Sequence, residues 1–97
     1  MPKFIIERTV PGASALSAEA LQQVAAKSNA VVAALGEPYT WITSYVAGDK
    51  LYCVHEAESA DIVRRHAKEG GFPADVVTEV KTEIGPQTAY GGAPGRF

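Results

Sequence analysis

One cysteine in 97 residues is too few for an intrachain disulfide or for the paired thiolates of a structural zinc site, so the fold must hold by packing alone. No apolar run approaches the roughly 20 residues that cross a bilayer, and no basic stretch followed by an apolar core marks a secretory leader. A cytoplasmic protein with no membrane partner is the expectation. Nine basic side chains against eleven acidic ones leave a formal charge of −2, which lacks the positive field that gathers phosphates, so no nucleic acid partner is expected. Also missing are a Ser-His-Asp pattern, a phosphate-binding glycine loop and a dinucleotide fingerprint.

What is present is an ordinary globular balance, 46% hydrophobic and 21% charged, at a length that suits one small core. Lys3 to Val10 is rich in residues that suit a pleated surface and ends at the turn pair Pro11-Gly12. Ser17 then precedes a stretch with Leu21, Val24, Ala25, Val31, Val32 and Leu35 at helical spacing, with Ser28 in the stripe and Gly36 and Pro38 as its stop. Tyr39 to Ala47 and Lys50 to Ala57 read as two strands joined by Gly48-Asp49, a pair made for a tight hairpin. Ser59 caps a helix over Ala60 to Glu69, which Gly70-Gly71 ends with Phe72 covering the last turn. Val76 to Ile84 alternates as a fourth strand. The glycine- and proline-rich remainder predicts a flexible C-terminal tail over 87–97, after a single domain over 1–86.

The order β-α-β-β-α-β predicts an α+β ferredoxin-like sandwich, a four-stranded antiparallel sheet with both helices on one face. Strict alternation would line the open face with Ile5 and Glu7, with Trp41, Thr43 and Tyr45, with Tyr52, Val54 and Glu56, and with Val77, Glu79, Lys81 and Glu83. Such a face is too apolar to leave to water, which predicts a homodimer or a bound small molecule. Under the second reading Glu7, Trp41, Tyr45, Tyr52 and Glu79 would form a pocket in a dimeric α/β-barrel, with Glu7 as general base of an acid/base enzyme. Cys53 and His55 read as core residues. His66 and Glu69 lie three residues apart on one helix, so imidazole and carboxylate can share a face and hold a metal, or simply answer the helix dipole.

Phe4-x-x-Glu7-Arg8-x-x-Pro11-Gly12-Ala13 resembles the opening of a family of small bacterial proteins that includes a Streptomyces nickel-binding protein. Lys50-Leu51-Tyr52-Cys53-Val54, Arg65-His66-Ala67, Gly70 to Asp75 and Glu79-Val80 are similar to its second half, so the resemblance spans about residues 3 to 88. It implies a ferredoxin-like homodimer that takes up Ni2+ for sequestration or buffering, with no catalysis. The matching helix histidine is His66, with Glu69 or Asp75 as further ligands. Where histidine-rich members carry additional histidines, this chain has Gly70 and Arg8.

Overall fold

Phe4, Ile6 and Arg8 alternate with Ile5 and Glu7 along β1 (Lys3–Thr9), and the first set is the buried one. In the computed structural model, which describes residues 1–91, β1 is a central strand. It pairs antiparallel with β3 (Lys50–Ala57) on one side and β4 (Val76–Glu79) on the other, and β2 (Tyr39–Ala47) pairs antiparallel with β3 at the edge. The sheet order β2-β3-β1-β4, with α1 (Ala18–Ala34) and α2 (Ala60–Gly70) as crossovers, is the ferredoxin-like α+β fold expected from the order of elements.

Local chemistry sets the boundaries. Ser17 Oγ accepts from the Ala20 amide at 3.1 Å and Ser59 Oγ from the Ile62 amide at 3.4 Å, so each helix starts at the serine expected to cap it. Gly71, at φ 70°, ends α2 in the left-handed conformation, and the Phe72 amide returns to the Ala67 carbonyl at 2.8 Å. That closure swings the Phe72 ring back under the helix.

The two helices do not pack alike. α2 buries Val63, His66, Ala67 and Gly70, and Val63 joins Phe4, Ile6, Cys53 and Ala57 in the core. α1 buries only Ser28, while Val24 stays exposed and Leu21 half-buried. A 17-residue amphipathic helix that buries one side chain is standing off the sheet.

Two expectations about the sheet need correction. β4 covers only Val76–Glu79, because its partner β1 begins at Lys3, whose carbonyl takes the Val80 amide as the last contact. β4 is also one residue out of the expected register. Val77 stands opposite Ile6 and Glu79 opposite Phe4, so both lie on the helix side, with Glu79 exposed at the sheet end. Two adjacent valines let either one fill the core position, and Val77 is the one that packs there. A 3-10 helix, Pro86–Tyr90, takes in the first four residues of the expected tail; residues 92–97 lie outside the described residues. No helix of the described residues is long and apolar enough to cross a membrane.

Candidate functional site

On the helix side of the sheet, antiparallel pairing aligns residues into rows across the strands. One row runs Glu79, Phe4, His55, Trp41; the next Val77, Ile6, Cys53, Ser44; a third Arg8, Leu51, Val46. Trp41 and Ser44 are three residues apart, and in a regular strand they would face opposite ways. They share a face because the β2–β3 register shifts between Trp41 and Thr43, with Ile42 as the extra residue of a bulge. The indole Nε1 donates to Ser44 Oγ at 2.9 Å across that bulge. Trp41 therefore belongs to the helix side, which corrects its assignment to the open face.

The gap under α1 is a cavity of about 220 Å³. Leu21, Val24, Ala25 and Ser28 of α1 form its roof, Trp41, Ser44, Val46, Leu51, Cys53 and His55 its floor, and Arg8 and Phe72 complete the wall. Phe72 holds its place through the absence of a side chain nearby. A methyl group at Gly70 would come within 2.3 Å of the ring, so any larger residue there would displace it.

Beside the cavity lies a stack of rings. His66 is wholly buried, stacked on Tyr39 at 5.0 Å between centroids and on Phe72 at 5.8 Å, and edge-on to His55 at 5.2 Å. Ser28 Oγ and His66 Nε2 lie 3.2 Å apart, the contact that ties α1 to α2, and His66 Nδ1 is buried with no hydrogen-bond partner. Tyr39 Oη is hydrogen-bonded to His55 Nδ1.

The electrostatics follow from burial. Loss of solvent pulls the His55 imidazole down to about 3, helped by the neighbouring His66 and the Arg8 guanidinium. The same desolvation lowers His66, partly opposed by the backbone of Ser28. Burial raises the Tyr39 hydroxyl. At neutral pH all three rings are therefore uncharged, and Arg8 is the buried formal charge beside them.

The residues expected to bind metal are not brought together. Glu69 is exposed and accepts from Arg65 Nε at 2.9 Å. Asp75 is exposed and accepts the Thr9 amide at 2.6 Å, and the hydrogen bonds from Thr9 hold its carboxyl below the usual range. Among the described residues no three His, Cys, Asp or Glu side chains converge as a metal donor set. His66 has a spare nitrogen but is stacked between Phe72 and Tyr39, with the buried guanidinium of Arg8 nearby.

On the open face, Glu7, Tyr52 and Tyr45 do share a row, continued by Val76 on β4. Glu7 pairs with Lys50 at 3.7 Å, and Tyr45 is 62% exposed. The segment after β4 runs along this face, where Val80, Thr82 and Ile84 border a shallow groove with Ile5, Tyr45 and Val54.

Comparison with known proteins agrees with this architecture. Residues 4–80 match the model of a family described as SCO4226-like, nickel responsive protein SCO4226-like. The crystal structure of SCO4226 from Streptomyces coelicolor A3(2) superimposes with a TM-score of 0.71 at 24% identity, over 84% of this chain and 99% of that one. No curated protein matches.

Proposed function

We propose that this chain, which belongs to the SCO4226-like family of nickel responsive proteins, is a small non-enzymatic binding protein that holds an organic molecule in the cavity beneath α1. The observation that carries the proposal is the stand-off of α1. An amphipathic helix gains stability by closing onto the sheet, yet this one leaves Val24 exposed over a cavity of about 220 Å³. That volume exceeds the roughly 150 Å³ of an apolar cavity known to hold benzene, so it suits a molecule of about six to nine non-hydrogen atoms. A binding role fits the surrounding groups better than acid/base catalysis. Tyr39 and His55 are engaged with each other, and an imidazole held near 3 is a weak base at neutral pH.

Trp41 is the sole tryptophan and lies in the cavity floor, so its fluorescence reports occupancy. Titration of tag-free protein with cyclohexanol and with hexanoate is expected to shift the Trp41 emission saturably for at least one of them. No response to either probe would contradict the binding role. The second reading is uptake of Ni2+ through His66 with Glu69 or Asp75, supported by the family and by the unpartnered Nδ1 of His66. The scattered carboxylates fit such a site poorly. This reading predicts stoichiometric nickel uptake in calorimetry of tag-free protein, abolished by Glu69→Gln and Asp75→Asn together. Absence of uptake would dismiss it.

The open face supports a homodimer as the second part of the proposal. Ile5, Tyr45 and Val76 are exposed on this face beside the half-buried Val54, an apolar strip flanked by Glu7 and Lys50 and by Lys3 and Glu56. Light scattering is expected to give twice the chain mass, falling to the monomer value for Tyr45→Glu. A monomeric native protein would contradict the dimer.

A further inference from the structure

Arg8 is the least expected residue in the interior. It is 4% exposed at the end of β1, on the helix side beside Leu51. Its Nε donates to Cys53 Sγ at 3.4 Å, one terminal nitrogen donates to the Pro73 carbonyl, and its guanidinium carbon lies 5.7 Å from the centroid of the Phe72 ring. None of these partners is a carboxylate. Glu7 pairs with Lys50 and Glu69 with Arg65, and among the described residues no carboxylate forms an ion pair with Arg8.

The carboxylate that feels Arg8 is that of Asp75, and it is engaged elsewhere. Its carboxylate holds the Thr9 amide, and Arg8 is the weakest of the influences on it. The other titratable groups facing Arg8 are His55, His66 and Tyr39, all neutral at pH 7, and the thiol of Cys53. From α1, Lys27 brings a second positive charge to the Phe72 ring, 5.8 Å from its centroid. A guanidinium cannot shed its charge, and burial without a counter-ion is costly in a protein interior. Such a cost is carried when something else supplies the missing charge.

The missing charge can enter through the cavity, whose wall Arg8 forms. Resting on the binding role proposed above, we infer that the cavity is an anion site for a small monocarboxylic acid. The carboxylate meets the guanidinium of Arg8, and the apolar body lies over Trp41, Leu51 and Val24. A planar guanidinium has five N–H donors and only two are engaged within the described chain, which leaves donors for a carboxylate. The remaining lining is apolar apart from Ser28, Ser44, Cys53 and His55, which matches a short hydrocarbon better than a second charge.

The test compares two probes of the same shape. Hexanoate and hexanamide are titrated separately into the full chain at pH 7.5, with Trp41 fluorescence as the readout. Hexanoate is expected to bind at least tenfold more tightly. In Arg8→Met, whose folding is checked by thermal unfolding, that preference is expected to vanish or reverse. Equal binding of both probes to the native protein would overturn the anion site while leaving the cavity a binding site. Failure of both would overturn the anion site, and the binding role falls with it when cyclohexanol also gives no response. A preference for hexanoate that persists in Arg8→Met would also overturn the inference, since another group would then hold the carboxylate. The native comparison stands by itself if Arg8→Met does not fold.

Discussion

Acidification from pH 7 to pH 5 is expected to lower the stability of this domain by about 2 kcal/mol through His55, with His66 adding to the loss in the same direction. The direction follows from proton counting. Once unfolded, His55 and His66 take up protons with the ordinary value of 6.5, whereas in the fold His55 is held near 3 and His66 is lowered as well. Between those values the unfolded chain binds more protons than the native one, so stability falls as pH falls. Asp75 acts in the same direction, but its contribution is lost only below the ordinary carboxyl value of 3.8, outside this window. A domain of this size has about 5–15 kcal/mol in total, so the loss is a large share. Urea denaturation followed by circular dichroism at the two pH values measures it. Equal midpoints would show that the histidines titrate normally in the fold.

Replacing His66 by alanine at pH 7 is expected to cost about 3 kcal/mol. The imidazole is wholly buried and touches three other rings, so its removal leaves a void between Tyr39, His55 and Phe72 and strips Ser28 Oγ of its partner. One effect works the other way. The orphaned Nδ1 costs about 1–3 kcal/mol in the native protein, and alanine relieves that. His66→Phe separates the contributions, because it keeps the stacking on Tyr39 and Phe72 and also removes the orphan. It should lose less than 1.5 kcal/mol, and it should reduce the acid sensitivity described above to the share of His55. If alanine and phenylalanine cost the same, ring packing is not what His66 contributes.

The fold was legible because each of its signals is local. Caps at Ser17 and Ser59, the hairpin pair Gly48-Asp49 and the glycines after α2 all sit where the chain changes direction. Alternation on β1 likewise placed Ile5 and Glu7 on one side and left Phe4, Ile6 and Arg8 for the other. The candidate site was less legible. A bulge has no composition of its own, and Ile42 looks like any strand residue, so strict alternation carried Trp41 to the wrong face. Val76-Val77 offered two registers of equal hydrophobicity, and the wrong one took Glu79 to the open side. Arg8 was readable as inward-facing, but a single sequence does not reveal that its partners are a thiol, a carbonyl and a ring. The serine in the stripe of α1 was the one sequence cue to the buried stack, since Ser28 is where the helix meets His66.

The cavity, the anion site and the reporter all require Trp41 to lie under α1, and nuclear Overhauser contacts of its indole N–H test that directly. The account predicts strong contacts from this proton to the Ser44 side chain, 2.9 Å from the indole nitrogen, and contacts from the indole ring to His55. Contacts to Thr43, Tyr45 and Val54 instead would place the indole on the opposite face and contradict it.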